Sequence, residues 1–140
     1  MYPELVLVFC NLQMFRQKAL YFHWNVTGSS FYQLHLLFER VYNEVAPYED
    51  RLAEHIRGYG RAPGLYSAYL QLSSLQEVQT VPAAPDMVAN LQQDISLVRR
   101  DLDLAIKKAT SLSKQGTVNL LGELAETFDV VSYLLTSQIA

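Results

Sequence analysis

The chain has 140 residues, of which half are hydrophobic, and its 14 acidic and 11 basic side chains give a formal net charge of −3. This composition excludes a disordered protein, and the single cysteine, Cys10, excludes a disulfide-stabilised secreted scaffold. No stretch reaches about 18 uninterrupted apolar residues and the first residues lack the basic region of a signal peptide, so we expect one domain over residues 1–140, in the cytoplasm and without a membrane span.

The first half of the sequence predicts two amphipathic helices. Apolar residues recur at three- and four-residue steps from about Pro3 to Trp24, and again from about Ser30 to Gly58. A short turn separates them, and Ser30 with Gln33 forms a capping box that would start the second helix. Pro47 lies inside the second pattern, where it predicts a kink, or a break at Ala46.

The second half predicts two more long helices after a long connection. The connection runs from about Tyr59 to Pro85, and residues 65–75 within it predict a short helix. A regular apolar pattern over about 86–114 predicts a third long helix that Gly116 ends, and 117–138 predicts a fourth. Two short links and one long crossover are typical of the ferritin-like four-helix bundle, so we expect an all-α fold of that kind.

Two histidines and two carboxylates on the first two helices form a candidate metal site. His23 lies near the end of the first helix, and His35 follows twelve residues later, near the start of the second. Asp50 and Glu54 lie one turn apart on a single face of that second helix. Imidazole and carboxylate ligands together suit iron, manganese or zinc, so these four residues are the predicted ligands.

The spacing of these residues restricts how they can meet. If one unbroken helix carries His35 and Asp50, fifteen residues at about 1.5 Å rise separate them by roughly 22 Å, too far to share a metal ion. One possibility is that Pro47 breaks the helix sharply. The other is that the histidines of one chain meet the carboxylates of a second chain across a two-fold axis.

The segments HWNVTG…F..LH and D..AE..RG.G resemble the Dps family, the dodecameric mini-ferritins, and the resemblance extends over nearly the whole chain. It implies a ferroxidase centre at a dimer interface, with His23 and His35 from one subunit and Asp50 and Glu54 from its mate. It further implies that His35 helps at a second, weaker iron position, and that Trp24 beside the centre takes up oxidising equivalents. The resemblance therefore selects the intersubunit alternative.

By the same resemblance, the protein oxidises Fe(II) with hydrogen peroxide or dioxygen and stores Fe(III) in a hollow shell of twelve subunits built from dimers, protecting against oxidative damage. The expected metal is iron, as a di-iron pair, with zinc or manganese as substitutes. The Glu-x-x-His motif that places a di-iron site inside one ferritin bundle is absent before all three histidines. The intersubunit site is the only one of the two that this sequence can build.

Other interpretations remain open at this point. Neither the first fifteen residues nor 115–140 contain Lys or Arg, so DNA binding through a basic tail is not expected. The alternative function is a Dps-like DNA-binding or structural shell protein with little ferroxidase activity. Taken singly, Asp50 and Glu54 are more often surface acids, and the basic side chains nearby that would pair with them are Arg51, Arg57 and Arg61.

Two further residue sets depart from the family pattern. Leu36, Leu37 and Arg40 stand where the family often places carboxylates for mineral nucleation, which favours iron oxidation over efficient mineral storage. His55 fits none of the ligand positions, and we expect it at the surface.

Overall fold

The computed structural model describes residues 1–139, which form five α-helices. The helices are α1 (Tyr2–Asn25), α2 (Phe31–Gly58), α3 (Tyr66–Leu72), α4 (Ala84–Ser111) and α5 (Gln115–Ile139). The four long helices pack as a bundle in which α1 lies against α2 and α4, and α5 lies against α4 and α2. The short helix α3 interrupts the crossover between α2 and α4 and lies on α1. The ferritin-like four-helix bundle predicted from the sequence is confirmed.

Four phenylalanines fill the centre of the bundle and fix how its helices meet. Phe15 of α1 meets Phe128 of α5 edge to face, with ring centroids 5.2 Å apart, and Phe22 of α1 meets Phe38 of α2 at 5.9 Å. All four are fully buried, and burial of each contributes about 1.5–3 kcal/mol. Phe22 directly precedes His23 in the sequence, so the Phe22–Phe38 contact also brings His23 of α1 to the first turns of α2.

Helix α2 is continuous through Pro47, so of the two alternatives predicted there, a kink or a break at Ala46, the break is wrong. Pro47 lies on the exposed side of the helix, while Val45 and Leu52 are buried in the core on either side of it. The carbonyl that Pro47 leaves without a donor belongs to the exposed residue Asn43, so water can replace the missing hydrogen bond. The packing of the flanking turns therefore outweighs the local preference of proline.

The ends of two helices differ from the prediction. Ser30 is the N-cap of α2, but its side chain makes no capping hydrogen bond, so the predicted capping box is wrong. The turn is closed instead by the backbone N–H of Phe31, which donates to the carbonyl of Gly28 at 3.1 Å. Helix α4 ends at Ser111, and Ser113 adopts the left-handed conformation with φ 55°. Gly116, expected to end α4, lies inside α5.

A buried polar network, which the sequence did not indicate, ties the crossover to the bundle. We call it the crossover network, and its members come from α1, the segment after α3, and α4. The side chain of Asn11 donates to Asp101 at 2.9 Å, and its oxygen accepts from the Ser73 hydroxyl at 2.8 Å and the Ser74 N–H at 2.9 Å. Asp101 also accepts from the Ser74 hydroxyl and from Arg100.

A buried ion pair links α1 to α4. Lys18 and Asp94 lie 2.7 Å apart, and both side chains are more than nine-tenths buried. Burial raises the pKa of the Asp94 carboxyl, and the hydrogen bond and charge of Lys18 oppose that rise. Leaving either partner alone would place an uncompensated charge in the core.

Within residues 1–139, no helix is both long enough and apolar enough to cross a membrane.

Candidate metal centre

His23 and His35 form a reciprocal pair at the junction of α1 and α2. The Nδ1 atom of His23 lies 2.7 Å from the carbonyl oxygen of His35, and the Nδ1 atom of His35 lies 2.8 Å from the carbonyl oxygen of His23. Because a carbonyl oxygen can only accept a hydrogen bond, both Nδ1 atoms must carry the proton. In the neutral rings this leaves the lone pair on each Nε2, the atom that would bind a metal ion.

The stacking of the two rings decides how many metal ions they can serve. Their centroids are 3.8 Å apart, and the ring planes differ by only 13°. A metal ion bound to an imidazole lies close to the ring plane, at about 2.1 Å from the nitrogen. The planes of two nearly parallel rings with centroids 3.8 Å apart do not meet within about 2.1 Å of either nitrogen, so one ion cannot lie in both planes and bind both rings. The arrangement suits two ions, one at each histidine.

Aromatic side chains from α2 hold the histidine pair. The ring of Phe31 stacks on His35, with centroids 5.1 Å apart and planes 23° apart. The ring of Tyr42 meets His23 edge on at 5.4 Å. Phe31 lies four residues before His35 and Tyr42 seven after it, so the three side chains share one face of α2. Only this helical spacing could have indicated their role from the sequence.

Asp50 and Glu54 lie on the exposed surface of α2, away from the histidine pair. No ion pair within residues 1–139 involves either carboxylate. The nearby arginines have other contacts: Arg51 pairs with Glu123 at 2.6 Å, Arg57 donates to the carbonyl of Arg61 at 3.1 Å, and Arg61 lies over the ring of Tyr2 at 5.2 Å. Both carboxylates are therefore available to a ligand from outside the subunit.

One subunit does not bring all four predicted ligands together. Because α2 is unbroken, Asp50 lies roughly 22 Å along the helix from His35. Within residues 1–139, no group of three or more His, Cys, Asp or Glu side chains is placed to hold a metal ion. Within one chain the histidine pair and the carboxylate pair are therefore separate, so these four residues could share a centre only between chains.

Trp24 follows His23 in the last turn of α1 and is 63% exposed. It contributes to the wall of a cavity of about 320 Å³ between α1 and α3, which also involves Tyr21, Tyr66 and Leu70. The indole therefore lies outside the bundle core.

His55 is half-buried, which corrects the expectation of a surface residue. Its Nε2 lies 2.7 Å from the hydroxyl of Thr117, which also lies 2.7 Å from the hydroxyl of Tyr59. Burial lowers the pKa of His55. The hydrogen bond between His55 and Thr117 joins the end of α2 to the start of α5. Thr117 is buried in the first turn of α5, so its hydroxyl needs a partner within the protein. His55 is thus a bundle contact.

Comparison with known proteins extends these observations. The family profile of the Ferritin-like domain matches residues 9–139. An uncharacterized low temperature-induced protein of Nostoc sp. is 36% identical over 125 residues, covering 87% of this chain and 70% of that protein. A DNA protection during starvation protein of Brevibacillus brevis is 32% identical, covering 84% of this chain and 83% of that protein.

The fold agrees with these sequence relationships. The crystal structure of Dps from Staphylococcus aureus superposes with a TM-score of 0.93 at 29% identity, covering 99% of this chain and 94% of that chain. The bundle, the short helix in the crossover and the relatives in sequence thus lead to the same family. The chain belongs to the Dps (DNA protection during starvation) family of ferritin-like proteins.

Proposed function

We propose that this protein is an iron-oxidising mini-ferritin whose reaction centres are shared between two subunits. His23 and His35 of one subunit, with Asp50 and Glu54 of another, would bind two Fe(II) ions as substrate. The observation that carries this proposal is the histidine pair, whose hydrogen bonds leave both Nε2 atoms open and whose stacked rings suit two separate ions. Membership of the ferritin-like family supports iron as the metal.

The ligand types fit the oxidation of iron. Neutral imidazoles capture Fe(II), and the hard anionic oxygens of Asp50 and Glu54 favour Fe(III) over Fe(II). Two Fe(II) ions at one centre supply the two electrons that, with two protons, reduce one hydrogen peroxide to two water molecules. Because this two-electron reduction releases no hydroxyl radical, the reaction protects against oxidative damage as well as supplying Fe(III) for storage. Dioxygen is the second oxidant in this proposal.

Trp24 is proposed as a reserve electron donor. It adjoins His23 and is largely exposed, so its indole lies near the proposed centre. When only one Fe(II) ion meets a peroxide molecule, one electron is lacking, and oxidation of the indole would supply it. The expected sign of this role is covalent oxidation of Trp24 after turnover with too little iron.

Storage requires an assembly larger than the dimer, and we propose a closed shell of twelve subunits. The exposed face of α2 beyond the histidine pair carries Leu36 and Arg40, and Arg40 pairs with Glu44 at 2.8 Å. That face offers few free carboxylates to a growing mineral. Oxidation is therefore expected to be more efficient than mineral storage. Zinc and manganese, which accept the same donor types, are the expected competitors.

The test is the rate of ferric absorbance after Fe(II) and peroxide are added to the pure protein. We expect a rate well above that of buffer, and a loss of most of that excess in His23→Ala and in Asp50→Ala. His55→Gln and Asp103→Ala are the matched controls, because they change the same residue types outside the proposed centre. A wild-type rate equal to that of buffer, or equal losses in the controls, would contradict the proposal.

A further inference from the structure

Arg51 lies between the two residues of the carboxylate pair, Asp50 and Glu54. In the sequence it directly follows Asp50 and precedes Glu54 by three residues. Residues three apart on a helix are neighbours on its surface, so Glu54 is an available partner for the Arg51 guanidinium. An ion pair formed there would neutralise one of the two negative charges of the pair. The position of this arginine therefore matters to any cation that the carboxylate pair binds.

Contacts with α5 hold Arg51 away from the carboxylate pair. The guanidinium donates to the Glu123 carboxylate at 2.6 Å and lies over the ring of Tyr48, 5.2 Å from its centroid. The Tyr48 hydroxyl in turn lies 3.2 Å from the hydroxyl of Thr127, which follows Glu123 by one turn on α5. Arg51 thus has two contacts, and neither involves the carboxylate pair.

The competing partner borders the same cavity. This cavity, of about 650 Å³, lies between the end of α2 and the start of α5, and three charged side chains contribute to its wall, Arg51, Glu54 and Glu123. His55 and Tyr59 also line it, and both contact a buried hydroxyl in the first turn of α5. Glu54 and Glu123 are therefore alternative partners for one arginine.

The choice between these partners sets the charge of the carboxylate pair. Exposed ion pairs differ little in free energy, so Arg51 would turn to the pair if Glu123 lost its charge. We infer that Glu123 is a positioning residue for the proposed centre, because it keeps the Arg51 guanidinium away from Asp50 and Glu54. The carboxylate pair then presents both negative charges to a divalent cation. This inference rests on the proposed function, in which the carboxylate pair is one half-site of the centre and the histidine pair is the other.

The ion pair also affects Glu123 itself. Its carboxylate borders the same cavity as Glu54, and without Arg51 it would attract cations there. Paired with Arg51, it adds no net charge to the cavity. Arg57, three residues after Glu54, donates to the backbone carbonyl of Arg61 at 3.1 Å. Glu54 thus keeps its charge for the proposed centre, while Glu123 serves to hold the arginine.

Glu123→Gln tests this role directly, because it removes the charge that holds Arg51 and keeps the size of the side chain. In a crystal structure of the metal-free variant, we expect the Arg51 guanidinium within about 4 Å of a carboxylate oxygen of Glu54 or Asp50. An Arg51 side chain that stays over Tyr48, away from both acids, would overturn the inference. This measurement involves neither a metal ion nor catalysis, so its result does not depend on the proposed function.

Calorimetric titration with Zn²⁺ measures the effect on binding, because this ion accepts the same donor types and is not oxidised. In the assembled, metal-free protein, Glu123→Gln should raise the Zn²⁺ dissociation constant about threefold, as expected for one exposed charge contact. Glu126→Gln, which removes an exposed carboxylate three residues further along α5, is the matched control and should bind Zn²⁺ like the wild type. Equal affinities in the two variants would overturn the inference.

A double variant separates positioning from direct binding. If Glu123 acts through Arg51, its loss has no effect once the guanidinium is absent, so Arg51→Gln with Glu123→Gln should bind Zn²⁺ at least as tightly as the wild type. A double variant as weak as Glu123→Gln would show that Glu123 contacts the ion itself, and the positioning role would be wrong.

The same titrations distinguish this inference from the proposed function. Zn²⁺ affinities that follow the expected pattern in a protein that fails to oxidise Fe(II) would contradict the proposed function and leave the positioning role in place. Oxidation of Fe(II) with no difference between Glu123→Gln and Glu126→Gln would do the reverse. A wild-type protein that binds no Zn²⁺ would contradict both.

Discussion

The separation of the two half-sites leads to a complementation experiment. One variant lacks the histidine pair (His23→Ala with His35→Ala), and a second lacks the carboxylate pair (Asp50→Ala with Glu54→Ala). Each variant alone should oxidise Fe(II) at the rate of buffer. After the two are unfolded together in equal amounts and refolded, chains of both kinds should meet across the proposed two-fold axis, and some centres should regain all four proposed ligands.

The expected recovery follows from counting the centres. In the proposed arrangement each dimer has two equivalent centres, and half of the randomly formed dimers contain one chain of each kind. In such a dimer one centre has both half-sites and the other has neither, so about a quarter of all centres are complete. We therefore expect about a quarter of the wild-type initial rate, measured as ferric absorbance after addition of peroxide.

The same experiment can refute the intersubunit arrangement. A centre contained within one chain would be damaged in every subunit of the mixture, so the rate would stay at that of buffer. Each variant refolded alone is the control, and circular dichroism must show that both regain their helices. Wild-type protein refolded in the same way sets the full rate, so incomplete refolding lowers the rates of the mixture and of the wild type alike.

Three further outcomes are expected. Pro47→Ala should raise the free energy of unfolding in urea by about 1–3 kcal/mol at fixed protein concentration, because α2 is already helical there and regains a hydrogen bond. An unchanged free energy of unfolding would show that Pro47 does not destabilise the helix. Burial would raise the pKa of Asp101, but hydrogen bonds from Ser74, Asn11 and Arg100 outweigh it and lower that pKa. Ionised Asp101 therefore stabilises the fold above its unfolded pKa of about 3.9, and this stabilisation is lost as the pH falls through the folded pKa. In Asp101→Asn the free energy of unfolding should depend less on pH in the acid range, and its slope near neutral pH should be unchanged. Six of the 11 basic side chains form ion pairs with acids. We therefore expect the protein not to retard duplex DNA in gels at physiological salt. A salt-dependent shift of the DNA would favour the DNA-binding alternative.

The sequence predicts the bundle and the candidate ligands for different reasons. Helix positions follow from apolar periodicity, which depends only on which side chains must be buried, and the ligands stand out by type and spacing. The contact of His23 with the backbone of His35 was not predictable, because it depends on how α1 and α2 approach each other. That approach is set by Phe22 and Phe38, whose pairing is a property of the packed core.

The misses have separate physical causes, and tertiary contacts account for those at Pro47 and at the crossover network. Proline normally ends a helix, but at Pro47 the buried side chains on both sides keep α2 intact. Glycine normally ends a helix too, but Ser113 takes the left-handed position before Gly116 is reached. The crossover network joins Asn11, Ser74 and Asp101 from three distant segments, and no local pattern reveals such a meeting.

The hydrogen bonds of the histidine pair have a consequence for how long iron would remain bound at the proposed centre. Metal-binding histidines often donate their second N–H to a carboxylate, which makes the ring a stronger base and the metal slower to leave. Here each ring donates to an uncharged backbone oxygen instead, so each gains less basicity than a carboxylate would give it. Weaker donors favour rapid exchange. A centre of this kind is suited to ions that pass through, and residence times of bound iron should be short compared with those of a permanently held cofactor.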